Sequence, residues 1–205
     1  MRVLLINGSP NAHGCTETAL LEVEKTLKEE GVETEIFWLG PDPVSGCMAC
    51  GGCRDGRCVL DDAVNAALER AKLADAYVFG SPVHYAAASG SITAFLDRFC
   101  YASGGLHRYK PGAAVVSCRR GGSTAALDQL NKYFTISQMP VVSSQYWNMV
   151  HGNTPDEVRA DEEGMQIMRT LGRNMAWLLQ CIDAGRRAGI EPHNPERRIT
   201  TNFIR

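Results

Sequence analysis

Residues 2–17 read RVLLINGSPNAHGCTE, and the change of pattern inside that stretch decides the fold. RVLLING (2–8) is a short, almost continuously apolar run, the pattern of a strand buried on both faces. It breaks at a turn holding Gly8, Ser9, Pro10, Asn11 and Gly14, and a helical pattern opens near Thr16. In that helix Leu20, Val23 and Leu27 repeat at helical spacing, and Gly31 follows as a C-terminal stop. Four further apolar runs recur: ETEIFWL (33–39), DAYVFGS (75–81), GAAVVSC (112–118) and PVVSSQY (140–146). Helical patterns at 62–73, 89–101 and 123–135 separate them, and a long last helix carries Met168, Leu171, Met175, Leu178 and Ile182 on one stripe.

Strands and helices that alternate in this way predict right-handed crossovers and an α/β, three-layer, doubly wound sandwich. Five strands favour a parallel sheet of flavodoxin-like order 2-1-3-4-5 over the six-strand dinucleotide fold. Such sheets bind ligands beyond the carboxyl ends of their strands, so the loops there are the places to examine.

The first loop, NGSPNAHGCTE (7–17), reads as an anion cradle: backbone N–H groups and a helix dipole, with hydrogen bonds from Ser9, Asn11 and Thr16. It lacks the Gly-Lys-Ser/Thr of a P-loop and is not G-x-G-x-x-G. Val3 to Glu24 contains no lysine or arginine, which suits a resident phosphorylated cofactor better than a phosphate that leaves. The alternative is an ordinary turn of small residues. The third loop, GSPVHYAAASG (80–90), is stiffened by Pro82 and sets His84 and Tyr85 where a planar ring could lie; the alternative is a tight turn with one aromatic packed inward. The fourth, SCRRGGSTAAL (117–127), has Gly121 and Gly122 for close backbone approach. Its Arg119 and Arg120 suit an anionic ligand or a reduced ring, or else are solvated surface arginines. One phosphate cradle and two ring-sized loops together point to FMN.

These residues resemble the flavodoxin-fold NADPH-dependent FMN reductases, in particular their iron–sulfur flavoprotein branch. The likeness rests on Gly8-Ser9-Pro10 with Gly14 and Thr16, on GSPVHY with AFLDR (94–98), on Gly121-Gly122, and on CMACGGCRDGRCVLDD (47–62). It spans residues 1 to about 185. It implies an FMN phosphate held by Ser9, Asn11, Gly14 and Thr16, with Cys15 and Glu17 in the same turn. Pro82, Val83, His84, Tyr85 and the turn Ser117, Cys118, Arg119, Arg120, Gly121 and Gly122 would surround the isoalloxazine ring. It also implies a homodimer or homotetramer, and hydride transfer from NAD(P)H to flavin N5. A small acceptor, such as a quinone or a nitro- or azo-aromatic, would then be reduced, with His84, Tyr85 and Arg119 bordering the chemistry. Cys15 stands where many relatives have asparagine, and His84 is an extra or substituted residue beside the usual aromatic.

Cys47, Cys50, Cys53 and Cys58 are spaced C-x2-C-x2-C-x4-C, with Gly51, Gly52 and Gly56 permitting sharp turns. Four such thiolates can wrap a [4Fe–4S] cluster; they can also be free thiols shaping the rim of the flavin site, or hold zinc. Free thiols are the favoured reading, the cluster the second and zinc the third. A cluster would favour a different function, electron carriage between protein partners. A thiol made reactive by Arg54 or Arg57 would make the chain a redox sensor. Asp61 or Asp62 is expected to cap the helix from Ala63.

The rest of the sequence bounds these readings. At 205 residues, 44% hydrophobic and 21% charged, the chain suits a single domain over 1–187, followed by a tail over 188–205. Phe203 and Ile204 of that tail are candidate anchors at a subunit interface. A net charge of −2 offers nothing to attract nucleic acid or an anionic membrane. The opening lacks a signal-peptide pattern, so a cytoplasmic protein with reduced thiols is expected.

Overall fold

The computed structural model describes residues 1–194, 196–197 and 199–201. Phe203 and Ile204 lie outside the described residues. In chain order the elements are β1 (Arg2–Asn7), α1 (Cys15–Glu29), β2 (Glu33–Trp38), α2 (Ala63–Ala71), β3 (Ala76–His84) and β4 (Ala87–Ala88). They continue as α3 (Gly90–Ala102), β5 (Gly112–Cys118), α4 (Ser123–Ile136), β6 (Met149–His151), α5 (Pro155–Ala160) and α6 (Glu162–Arg187). The parallel sheet has the order β2-β1-β3-β5-β6, with the two-residue β4 folded back antiparallel on β3. Leaving β4 aside, this is the flavodoxin-like order expected from the sequence.

Each strand alternates its side chains between two helical layers. Val3, Leu5, Val78 and Val115 pack with α1 and α6, through Leu20, Val23, Met168 and Leu171. Leu4, Ile6, Phe79 and Val116 pack with α2, α3 and α4, through Leu68, Phe95, Phe99 and Phe134. Near-continuous apolar strands thus serve two cores, and each fully buried Leu or Ile contributes about 1.5–3 kcal/mol. The turn after α1 satisfies the helix end as expected: Gly31, at φ 77°, donates to Lys28 O, and Val32 donates to Leu27 O at 2.9 Å. Among the described residues no helix is long and apolar enough to cross a membrane.

The fifth strand departs from its expected position. In the run 140–146 only Val141 forms an isolated parallel bridge, to Gly112, and the strand proper is Met149–His151, paired with Val116–Cys118. Polar side chains cause the break. Ser144 Oγ donates to Tyr146 O at 2.6 Å and lies 2.8 Å from Asn148 Oδ1, closing a local turn in place of a ladder. The backbone rejoins the sheet where Asn148 O accepts Val116 N–H. The sequence reading also lacked the β3–β4 hairpin and α5, which Thr154 caps by accepting Glu157 N–H.

Candidate functional site: three joined loops and a cavity of thiols

The loops after β1, β3 and β5 are bonded to one another at the carboxyl edge of the sheet. In the first, Asn7 is fully buried; its Oδ1 accepts Ser9 N–H, and its Nδ2 donates to Ala12 O. Ser9 Oγ accepts Asn11 N–H at 3.1 Å. Trp38, at the end of β2, donates its indole N–H to Ser9 O at 2.8 Å. Gly14 begins α1 with no side-chain cap, so the first-turn N–H groups keep their capacity to bind an anion. Glu17 in that turn accepts from His13 Nδ1 at 2.9 Å. Cys15 Sγ lies 3.7 Å from Gly152 O, which brings the loop after β6 to the same edge, and burial raises its thiol above the ordinary value.

Two buried hydroxyls link this loop to its neighbours. Ser89, the N-cap of α3, donates from Oγ to Gly8 O at 3.0 Å. Thr16 Oγ1 and Ser117 Oγ lie 2.8 Å apart. Thr16 is 1% exposed, so its hydroxyl ties β5 to the cradle. Gly8 N–H also donates to Gly80 O at 2.9 Å.

Beyond Pro82, Val83 and His84 pair with Ala88 and Ala87, leaving Tyr85 and Ala86 as a two-residue hairpin turn. Their φ values, 51° and 61°, match a turn with both central residues in the left-handed region. That region costs a non-glycine residue about 1–2 kcal/mol. His84 and Tyr85 are exposed at the tip, so the inward-packed aromatic is ruled out. The turn from Ser117 to Gly122 abuts the hairpin: a Cβ on Gly122 would lie 2.5 Å from Ala86 Cα. Cys118 Sγ lies 3.0 Å from Gly121 O, and Arg119 and Arg120 are exposed. An uncapped helix start at one end and a rigid pair of loops with flat side chains at the other fit a phosphorylated planar cofactor.

The cysteine loop leaves β2 at the same edge. Cys47, Cys50, Cys53 and Cys58 all line one cavity of about 250 Å³, together with Met48, Val59, Leu60, Arg98 and Tyr101. Among the described residues no three His, Cys, Asp or Glu side chains converge closely enough for a single metal ion. A tetrahedral zinc, at about 2.3 Å from each sulfur, needs its ligands about 3.8 Å apart. Four cysteine thiols on one cavity are the donor set of a cubane cluster, and free thiols fit the same lining. Burial and the neighbouring Cys58, Cys50 and Cys47 raise the Cys53 thiol. At Cys58 burial also raises the thiol, but the Leu60 N–H and Arg98 outweigh it and the net shift is downward. Arg54 bonds Gly51 O and Cys53 O, and Arg57 pairs with Asp61 and Glu69, while the arginine bonded to a thiol is Arg98, at Cys58. Asp62 is the helix cap, accepting Val64 N–H.

The NADPH-dependent FMN reductase family matches residues 1–154. The chain belongs to that family. An iron–sulfur flavoprotein of Methanocaldococcus jannaschii is 31% identical over 191 residues, covering 89% of this chain and 99% of the relative. An iron–sulfur flavoprotein of Methanosarcina thermophila is 27% identical over 191 residues, covering 91% and 99%. The fold is similar to that of RosB solved with 8-demethyl-8-formylriboflavin 5′-phosphate, at TM-score 0.72 and 13% identity, covering 100% of this chain and 92% of that one. Membership of the FMN reductase family supports FMN as the cofactor and oxidoreduction as the class of activity, and the relatives support the iron–sulfur flavoprotein branch.

Sequence reasoning missed Asn7, Trp38 and Ser89 as supports of the first loop, and Asn65 and Arg98 as supports of the cysteine loop. Asn65 holds Cys58 on both sides, accepting its N–H at 2.8 Å and donating to its O at 3.0 Å. Helix α3 joins the two regions. Its cap, Ser89, touches Gly8, and Arg98, about 14 Å along the axis at 1.5 Å per residue, touches Cys58.

Proposed function

We propose that this chain is an FMN-dependent oxidoreductase that accepts electrons from NAD(P)H and delivers them to a small acceptor such as a quinone or a nitro- or azo-aromatic. The observation that carries this reading is the bonding of three loops at one sheet edge, through Ser89–Gly8, Thr16–Ser117 and the Gly122–Ala86 contact. FMN, when bound, supplies hydride acceptance at N5 and onward release of electrons. The chain's part is to hold and tune. The α1 first turn with Ser9, Asn11 and Gly14 binds the phosphate, while Thr16 fixes that turn against β5. Pro82, Val83 and the 117–122 backbone hold the ring, and those N–H groups with Arg119 or Arg120 offset negative charge on it. His84 and Tyr85, exposed at the hairpin tip, border the acceptor, and His84 Nδ1 or Nε2 can hand over a proton there. Anoxic mixing of the FMN-loaded protein with NADPH or NADH tests the reading. Bleaching of the flavin band, restored by benzoquinone, is expected; a flavin that neither nucleotide bleaches would refute it.

A second reading is favoured by the cavity lined by all four thiols and by the name the relatives share. In it Cys47, Cys50, Cys53 and Cys58 hold a [4Fe–4S] cluster and the chain carries electrons to protein partners. Acid-labile sulfide and iron in anoxically purified protein distinguish it from the free-thiol loop. A homodimer or homotetramer belongs to either reading, with the exposed Met48, Val59 and Tyr101 at the cavity mouth as surface available to a second copy.

A further inference from the structure

The side chain that faces the thiol cavity from the protein interior is Arg98, and it is 1% exposed. Its five N–H donors meet five acceptors. Nε donates to Cys58 Sγ at 3.3 Å; one terminal nitrogen donates to Asp62 Oδ2 at 2.6 Å and Ser45 O at 3.3 Å; the other donates to Asp62 Oδ1 at 3.0 Å and Leu60 O at 3.1 Å. A fully paired buried guanidinium has little freedom to turn. The Cys58 backbone is clamped by Asn65, itself 3% exposed. Cys47 and Cys50, by contrast, are exposed. One of the four sulfurs is therefore held in a fixed frame with a cationic N–H aimed at it.

We propose that Arg98 is a positioning residue that sets the reduction potential of the metal–sulfur group bound by the four cysteines. This rests on the cluster reading of the cavity. A one-electron reduction makes such a group one unit more negative. A cationic N–H···S bond strengthens as charge on the sulfur grows, so it stabilises the reduced form and raises the potential. Asp62 opposes this effect. Its carboxylate takes both terminal nitrogens while Nε takes Cys58 Sγ, so it offsets part of the positive charge that Cys58 meets. Lysine can keep the charge but not the fork that engages Cys58, Asp62 and Leu60 together.

The two members of this pair therefore have opposite expected effects, which separates tuning from mere support. Wild type, Arg98→Gln, Arg98→Lys and Asp62→Asn are reconstituted with FMN, iron and sulfide under anoxic conditions. Each is then titrated with dithionite, the electron donor, while the electron paramagnetic resonance signal is followed. Asparagine remains a good N-cap for α2. Arg98→Gln is expected to lower the potential by at least tenfold in the reduction equilibrium, about 59 mV for a one-electron couple. Arg98→Lys should fall between it and wild type, and Asp62→Asn should move the potential upward. Shifts of the same sign in Arg98→Gln and Asp62→Asn would overturn the proposal, as would unchanged potentials. So would loss of iron from both Arg98 variants with FMN retained, since that marks a purely structural role. A wild type that binds FMN but takes up no iron would defeat this proposal and the cluster reading together, leaving the flavin reading intact.

Discussion

Gly122→Ala is the sharpest perturbation of the joined loops, with Gly121→Ala as its neighbour control. Gly122 has φ 92°, and a Cβ there would sit 2.5 Å from Ala86 Cα, 2.8 Å from Ala86 Cβ and 3.2 Å from Val83 Cγ1. The left-handed backbone costs alanine about 1–2 kcal/mol. Relieving the contact moves packed backbone, an overpacking cost of about 1–3 kcal/mol. The sum, about 2–5 kcal/mol, must appear as lost stability or as displacement of the hairpin that carries His84 and Tyr85. At about 2–4 °C per kcal/mol for a chain of this size, thermal unfolding should fall by roughly 4–20 °C. If the hairpin moves and the cost falls on the bound state, FMN affinity should weaken by at least roughly 30-fold, at about 1.4 kcal/mol per decade. Gly121 has nothing within 4 Å of its Cβ direction, so its alanine variant should stay within about 0.5 kcal/mol of wild type. Thermal melts with and without FMN, and fluorescence of released flavin, measure both. A Gly122→Ala protein that melts and binds FMN like wild type, or a Gly121→Ala protein equally damaged, would refute the account of the two loops.

Other consequences concern buried polar groups. Thr16→Val and Ser117→Ala each leave one buried hydroxyl without its partner, at about 1–3 kcal/mol, whereas the double variant should cost clearly less than the sum. Urea unfolding of the flavin-free proteins checks this, and additive single effects would contradict the pairing. His107 stacks on Phe99 at 4.5 Å and meets Tyr77 edge-on at 5.0 Å, with neither ring nitrogen bonded. Burial pushes its pKa down to about 4, with the Phe99 backbone opposing the shift and Lys110 adding to it. The unfolded chain therefore binds the extra proton first, so stability should be complete above about pH 6.5 and fall as pH drops towards 4, by about 3 kcal/mol in all. His107→Leu should flatten that slope in denaturation measured across the range; an unchanged slope would assign it to other groups.

The legible parts of the sequence are those where local pattern and tertiary role agree. RVLLING followed by a glycine-bracketed turn shows a buried strand, a cradle and a helix start, because each feature is local. The strand at 140–146 misled because Val141 and Val142 look like a ladder, while the bonds that divert the chain come from Ser144 and Asn148. The hairpin turn was illegible because Tyr85 and Ala86 are residues that rarely adopt positive φ, and only packing against Gly122 and β4 holds them there. Arg98 read as part of a family motif, without a role. One arginine on a helix is ordinarily solvated, and its burial is explained by partners brought in from the cysteine loop and the start of α2, namely Asp62, Cys58, Leu60 and Ser45. The four thiols were legible as a spacing, but the shared cavity is a property of the folded loop.

In the proposed arrangement the first turn of α1 binds the phosphate of a flavin whose ring lies against the hairpin and the 117–122 turn. Equilibrium titration of flavin-free protein with FMN and with riboflavin, which lacks the phosphate, tests it most directly. One FMN per chain and much weaker binding of riboflavin are expected. Equal affinity for the two, or binding of neither, would contradict it.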